Sequence, residues 1–275
     1  MKFQRFFVLM MIMKKKFAVI GYPIKHSKSP QLHEAGFLEL EIDASFEKLE
    51  IHPDDLSAWL TDEFINYAGV AVTIPHKEAV MKLVDKIAPA AEKIGAINTL
   101  YWENEQIVGT NTDCIGALKA LQTECPELSE KKVLILGAGG ASRGVIFALK
   151  TANSKLSIWN RTTSKAEQLA EEFEIEAIKD LKAVDGEDFD IIINTTSVGL
   201  KEWESPVPED FFSSRNIVFD IVYDPLETKF LSDAENVGAT TITGDKMLVH
   251  QALEQFKIWH GTELEMEIME QAFFE

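Results

Sequence analysis

The chain has 275 residues and a mass of 30.9 kDa, enough for one large domain or two small ones. Lys and Arg total 27 and Asp and Glu 45, a net charge of −18, which excludes a surface built to track nucleic acid or anionic lipid but not a small anion held in a locally basic pocket. Hydrophobic residues at 46% and charged residues at 26% exclude disorder along the whole chain, and two cysteines, Cys114 and Cys125, are too few for a disulfide scaffold or a cysteine-rich metal site, so a cytoplasmic enzyme or binding protein is the starting expectation.

Residues 6–13 form an apolar run behind Lys2 and Arg5 that is too short to span a bilayer. Lys14-Lys15-Lys16 follows in place of a small-residue cleavage site, so 1–12 read as an N-terminal extension with Met13 as an alternative start. A short apolar strand is predicted at 17–21, then a helix over 30–40 with Ser29 as N-cap and Pro30 in its first turn. A strand at 45–51 and a buried strand at 70–74 running into Pro75 come next, with helix from Lys77 onward. Strands at 97–102 and 106–110 read as a hairpin closed over Glu103, Asn104 and Glu105. From about Ile115 the pattern is strictly βαβ. It has strands at 133–136, 156–159, 190–193 and 217–220, a helix from about Ala141, an amphipathic helix at 164–173, and closing helices at 247–259 and 263–274. Alternating strands and helices predict an α/β fold with a largely parallel sheet.

Gly137-Ala138-Gly139-Gly140-Ala141 follows an apolar strand and opens a helix, the context a dinucleotide-binding turn requires. Gly137 permits the tight turn. Gly139 and Gly140 let the backbone approach a pyrophosphate, which the helix N-terminus then faces with free N–H groups and partial positive charge. The third glycine of the usual pattern is Ser142 here. The next strand ends in Asn160-Arg161-Thr162 with Lys165 beyond, where an NAD site carries a carboxylate for the ribose 2′-hydroxyl. An arginine with hydroxyl and amide donors suits a 2′-phosphate and favours NADP over NAD.

Lys77 in VTIPHK and Asp113 at the end of GTNTD both fall at strand ends, where α/β proteins place ligands. Together they could move a proton on and off a hydroxyl or ketone; on the residues alone a structural ion pair is the stronger reading. Ser27 and Ser29 flank Lys28 at a helix start and could bind a carboxylate, or Ser29 could simply cap. Asn98 and Gln251 are polar groups among apolar neighbours, as readily satisfied core residues as ligands. No metal is expected, because the six histidines are scattered and do not pair with Cys or carboxylates at ligand spacing.

Read in order, KHSKSP, VAVTIPHK, GAINTL, GTNTD, GAGGASRG, NRTTSKA, NTTSVGL, FDIVYDP and GDKMLVHQALEQF resemble the shikimate dehydrogenase family over residues 16–256. The resemblance implies an N-terminal α/β substrate domain over 13–114, completed by C-terminal helices in 245–275. It also implies a Rossmann-like NADP-binding domain over 115–244, with the active site in the cleft between the two. The implied reaction is NADPH-dependent reduction of 3-dehydroshikimate to shikimate on the route to chorismate and the aromatic amino acids. Ser27 and Ser29 would bind the substrate carboxylate, joined by Tyr223. Thr73, Lys77, Asn98, Asp113 and Gln251 would contact the ring hydroxyls and ketone. Lys77 would be the proton-transfer residue and Asp113 its partner. Gly137 to Ala141, Asn160, Arg161, Thr162, Lys165, Thr195, Ile221, Gly244 and Met247 would line the cofactor. A monomer or homodimer is expected, with no nucleic-acid or membrane partner.

Three features depart from the family pattern: Cys114 directly after Asp113 where glycine is common, Lys246 where a small residue is common and expected here to face solvent, and the leader before Met13. A quinate-accepting, NAD-using branch of the same family is opposed by Arg161, a sensor without catalysis by the presence of both Lys77 and Asp113, and a folate-type substrate by the Ser27/Ser29 pair. Both implied ligands are anions, so a positive ligand site is expected in an otherwise negative molecule, with Lys77 near the substrate and Arg143, Arg161 and Lys165 near the phosphates.

Overall fold

A computed structural model describes residues 14–275; the extension read over 1–12 lies outside them. The chain divides into two compact units, one ending at Asn111 and resuming at Ala252–Glu275, the other Thr112–Gln251. The pattern reading put these joins at 114/115 and 244/245.

The first unit carries β1 (Lys15–Gly21), α1 (Ser29–Glu39), β2 (Ala44–Glu50), α2 (Leu56–Asp62), β3 (Gly69–Val72), β4 (Lys86–Ile87), α3 (Pro89–Ile94), β5 (Thr99–Glu103) and β6 (Gln106–Thr110). Its sheet has the order β2-β1-β3-β5-β6-β4. β1 is parallel to both β2 and β3, whereas β5 runs antiparallel to β3 and β6, so this sheet is mixed rather than parallel throughout. Phe17 to Gly21 are all buried, as expected of a strand covered on both faces. The β5–β6 hairpin closes over two residues, Asn104 and Glu105, both at positive φ (51° and 65°). The three-residue loop of the sequence reading is shortened because this mirror-image turn matches the strand twist.

Two long helices end the chain, α8 (Gly244–His260) and α9 (Met266–Phe274); the boundary between units falls inside α8. Its second half is tied into the first unit. The Trp259 indole N–H donates to the Leu100 carbonyl (3.0 Å), and the buried Gln255 amide donates to the Asn98 carbonyl (3.1 Å) and Thr99 Oγ1 (2.9 Å). Trp259 also packs on Phe17 with ring centroids 5.2 Å apart.

The second unit carries α4 (Asp113–Glu124), β7 (Lys132–Leu136), α5 (Gly140–Thr151), β8 (Lys155–Trp159), α6 (Thr163–Phe173), β9 (Glu176–Ala177), β10 (Ile191–Asn194), β11 (Ile217–Asp220), α7 (Lys229–Asn236), β12 (Thr240–Ile242) and the first half of α8. Its sheet is parallel throughout, in the order β12-β11-β10-β7-β8-β9. That is a doubly wound arrangement whose direction of winding reverses between β7 and β10, and ligands bind such sheets at the carboxyl ends of the strands beside the reversal. Alternate residues of β7 feed two cores. Val133 and Ile135 pack with Leu121, Val145 and Leu149, while Leu134 and Leu136 pack with Phe230, Leu231 and Ala234. Burial on both faces explains why these strands read as continuous apolar runs.

Two local expectations are corrected. The helix predicted from Lys77 is a turn followed by one 3-10 turn at Ala79–Lys82; the Lys77 carbonyl accepts from the Ile97 N–H rather than from a helical donor. The N-cap of α1 is Lys28, which makes no side-chain capping bond, and the orphan N–H of Ser29 is instead accepted by Ser27 Oγ at 3.3 Å. The pattern reading also passed over α2, α3, α7, β4, β9 and β12, short elements whose packing is set by distant partners.

Candidate functional site

The first unit carries its polar candidates on segments at one end of its central strands. The segment after β1, the turn after β3 and the segment before β5 are joined there by main-chain hydrogen bonds. Thr73 N donates to the Ile20 carbonyl (2.9 Å), Tyr22 N to the Ile74 carbonyl (3.0 Å), Val72 N to the Asn98 carbonyl (2.7 Å) and Ile97 N to the Lys77 carbonyl (2.8 Å). The His76 ring adds Nε2–H to the Ile51 carbonyl at 2.8 Å, and burial lowers its pKa. Lys77 is therefore carried on a turn anchored at both ends, and it is partly buried, as is Thr73. Ser27 and Ser29 are buried with their hydroxyl oxygens 3.2 Å apart. Asn98 is buried and its Oδ1 accepts from Thr99 Oγ1 (2.7 Å). Two seryl hydroxyls, a threonine, an amide and an ammonium on these segments can recognise a small, hydroxylated carboxylic acid.

In the second unit Asp113 is buried in the first turn of α4, and Gln251 is buried on α8. These helices approach closely at Gly116, where a Cβ would lie 2.7 Å from the Met247 carbonyl oxygen and 2.9 Å from Gln251 Cβ. Thr112 Oγ1 lies 3.5 Å from Gln251 Oε1, so Asp113 and Gln251 belong to one cluster. Cys114, although larger than glycine, is buried within the regular first turn of α4. Lys246, expected to face solvent, is partly buried in the first turn of α8.

The glycine turn lies at the carboxyl end of β7, the predicted position. Gly137 has φ +116°, and a Cβ there would stand 2.6 Å from Thr195 Oγ1, so only glycine is accommodated. A Cβ on Gly139 would meet nothing within 4 Å; the backbone borders open space directly before the N-terminus of α5. Arg161, Thr162 and Lys165 are exposed at the start of α6, and Asn160 Nδ2 donates to the Thr162 carbonyl (3.0 Å). Close backbone approach at a helix N-terminus, exposed cations and no carboxylate at 160–162 fit a dinucleotide bearing a 2′-phosphate. Arg143, expected near the phosphates, is forked onto Glu172 (2.6 and 2.8 Å) with Phe173 beneath it, a bidentate, charge-assisted pair.

The neighbouring strand ends are tied together by side chains that sequence reasoning did not single out. Asp220, fully buried at the end of β11, accepts from Asn194 Nδ2 (3.0 Å), the Val222 N–H (3.0 Å) and Thr228 Oγ1 (2.7 Å). Burial raises its carboxyl to a pKa of about 6, against the pull of those donors. Asn194 Oδ1 in turn accepts from the Thr196 N–H and hydroxyl (3.0 and 2.7 Å). This hub shapes the segment bearing Ile221 and Tyr223, against which Gly244 packs so closely that a Cβ would sit 2.4 Å from the Val222 carbonyl oxygen. Met247 is buried in the core of this unit. Only the unusual run of polar residues at both strand ends hinted at the hub. Among the described residues no group of three or more His, Cys, Asp or Glu could hold a metal ion, and no helix is long and apolar enough to cross a membrane.

Comparison with known proteins covers both units. Residues 19–100 match the family model described as shikimate dehydrogenase substrate binding domain, 119–221 that of shikimate / quinate 5-dehydrogenase, and 246–272 that of the shikimate 5′-dehydrogenase C-terminal domain. A shikimate dehydrogenase (NADP(+)) of Methanococcoides burtonii is 43% identical over 267 residues, covering 96% of this chain and 98% of its own. The crystal structure of shikimate dehydrogenase from Aquifex aeolicus superposes with a TM-score of 0.90 at 39% identity, covering 95% of this chain and 98% of that one. The Thermus thermophilus enzyme in complex with NADP(H) and shikimate gives a TM-score of 0.88 at 36% identity, covering 94% and 98%.

Proposed function

The chain belongs to the shikimate dehydrogenase family, and from that premise we propose that it catalyses the reversible, NADPH-dependent reduction of 3-dehydroshikimate to shikimate in the shikimate pathway. The observation that carries this reading is in the first unit, at one end of its central strands, where Thr73, Lys77 and Asn98 sit on segments bonded to one another through the main chain and Ser27 and Ser29 form a buried hydroxyl pair on the segment after β1. Ser27 and Ser29 bind the substrate carboxylate, with Tyr223 at the same end. Thr73, Asn98 and Gln251 orient the ring through its hydroxyls. NADPH, when bound, supplies a hydride. As the ring ketone becomes an alcohol, negative charge develops on its oxygen; the Lys77 ammonium stabilises that charge and delivers the proton, with Asp113 as its partner. One ketone, one hydride and one proton thus yield one secondary alcohol.

Residues 137–141 would hold the pyrophosphate, and Asn160, Arg161, Thr162 and Lys165 the 2′-phosphate. Ile221, Gly244 and Met247 would line the rest of the cofactor, and Thr195 packs beneath the turn. The first unit is the substrate domain and the second the NADP domain, in a cytoplasmic monomer or homodimer. Steady-state reduction of NADP⁺ with shikimate beside quinate, repeated with NAD⁺, tests the assignment. Turnover is expected with shikimate and NADP⁺. Faster turnover with quinate and NAD⁺ would overturn it.

A further inference from the structure

The second unit replaces the third glycine of the dinucleotide fingerprint with Ser142, and this side chain is fully buried. Its hydroxyl oxygen accepts the Gly139 N–H at 3.1 Å and lies 2.7 Å from Thr195 Oγ1. Thr195 Oγ1 is itself 2.8 Å from the Leu136 carbonyl oxygen. A carbonyl can only accept, so the single Thr195 proton is spent there. The contact between the two hydroxyls must then use the Ser142 proton. The whole chain of donors is ordered in one direction, from the Gly139 N–H to Ser142, to Thr195, to the end of β7. It starts in the glycine turn, crosses to the loop after β10 and returns to the strand from which the turn departs.

Neither hydroxyl has a proton left for a ligand, and the Gly139 N–H is also spent. The Gly137 N–H is taken by the Trp159 carbonyl at 2.8 Å. The anion is then met by the main-chain N–H groups of Ala138 and of the first turn of α5, held where the relay sets them. Thr195 Oγ1 occupies the space a Cβ on Gly137 would need, so the same hydroxyl packs the turn from below. We propose that Ser142 and Thr195 are positioning residues for the cofactor pyrophosphate, acting through the glycine turn without touching the ligand. The inference rests on the functional reading above only for the identity of the anion.

Two measurements test it. Amide hydrogen exchange at Gly139 in the cofactor-free protein is slow in the parent and accelerates at least tenfold in Ser142→Ala, because the N–H loses its acceptor. NADP⁺ titration shows Ser142→Ala and Thr195→Val each weakening binding by about tenfold. The double variant is no more than about threefold weaker than either single one, because each breaks the same relay. Thr195→Ser keeps the hydroxyl and stays within about twofold of the parent, a control that survives if the valine variant folds poorly. In turnover, Ser142→Ala raises KM for NADP⁺ in step with the dissociation constant while kcat holds. Unchanged Gly139 exchange in Ser142→Ala, or singles whose effects multiply in the double, would overturn the relay. A parent that takes up no NADP⁺ overturns the functional reading instead, and Gly139 exchange still decides the relay.

Discussion

The two units hold their ligand edges in opposite ways. In the first, the segments around Gly21, Thr73 and Ile97 are joined mostly by backbone hydrogen bonds, and the proposed recognition uses side chains of serine, threonine, asparagine and lysine. In the second, the glycine turn and the loops after β10 and β11 are additionally braced by buried side chains, Ser142 with Thr195 and Asn194 with Asp220, and the proposed recognition of the anion uses the backbone. A hydroxylated ring needs chemically distinct partners at each substituent, which only side chains provide. A pyrophosphate needs several equivalent donors at close range, which glycine-rich backbone provides.

Removing one recognising side chain from the first unit should sharpen this contrast most. Lys77→Ala is expected to lower turnover by about 10²- to 10⁴-fold while leaving NADPH binding and the melting temperature close to the parent, since the Lys77 carbonyl still holds the turn. Near-normal turnover, checked by steady-state NADPH oxidation with 3-dehydroshikimate, would remove Lys77 from the chemistry. In the second unit the corresponding lesion is in the backbone. Gly137→Ala forces a side chain into φ +116° and against Thr195 and should weaken NADP⁺ binding by about ten- to a hundredfold; affinity equal to the parent, measured by fluorescence titration, would break the comparison. Arg161→Asp should cost about tenfold or more for NADP⁺ and little for NAD⁺; an equal loss for both cofactors would dismiss the 2′-phosphate contact.

Acid should separate the units. Burial holds His33 at a pKa of about 3 in the first unit, where it stacks on Phe46 with centroids 4.7 Å apart; burial also lowers His260, to about 4. The unfolded chain binds protons on these rings from about pH 6.5, so unfolding takes up protons. Stability of the first unit is then lost as pH falls through 6.5 toward 4, by up to about 1.4 kcal/mol per pH unit for His33. Asp220 has the opposite sign. Its native pKa of about 6 exceeds the ordinary 3.8, so the folded state binds its proton first and the second unit gains stability from this group between pH 6 and 4. Hydrogen exchange followed from pH 7 to 4 should show the first unit opening first, and His33→Leu should flatten its slope. Equal pH slopes in the two units would contradict this. The smallest expected effect is salt: NADPH affinity should fall a few-fold from low to physiological ionic strength, because Arg161 and Lys165 are exposed.

Much of this was legible without coordinates wherever the signal was local. Apolar runs of five or so residues marked β1, β7, β10 and β11, and the glycine turn and Arg161 lie within a few residues of the strands that present them. Lys77 and Asp113 stood out for their position at strand ends. The reading failed where a partner lay far along the chain. Lys77 looked helical because nothing nearby shows that its carbonyl meets Ile97. Ser29 looked like a cap because the Ser27 hydroxyl that replaces it is not at the usual offset. Nothing near Arg143 in the chain shows that Glu172 on another helix pairs with it.

The chain by itself thus determined the α/β alternation, the dinucleotide turn and the choice of a 2′-phosphate, each set by periodicity or by chemistry within one βαβ step. Only the tertiary structure decided that one sheet is mixed and the other parallel, that α8 is shared between the units, and that Ser142 spends its proton on Thr195, 53 residues away, and Thr195 its own on the Leu136 carbonyl. Strand order and buried hydrogen-bond partners are properties of chain segments brought together by burial, and no local pattern records which distant donor will meet which acceptor.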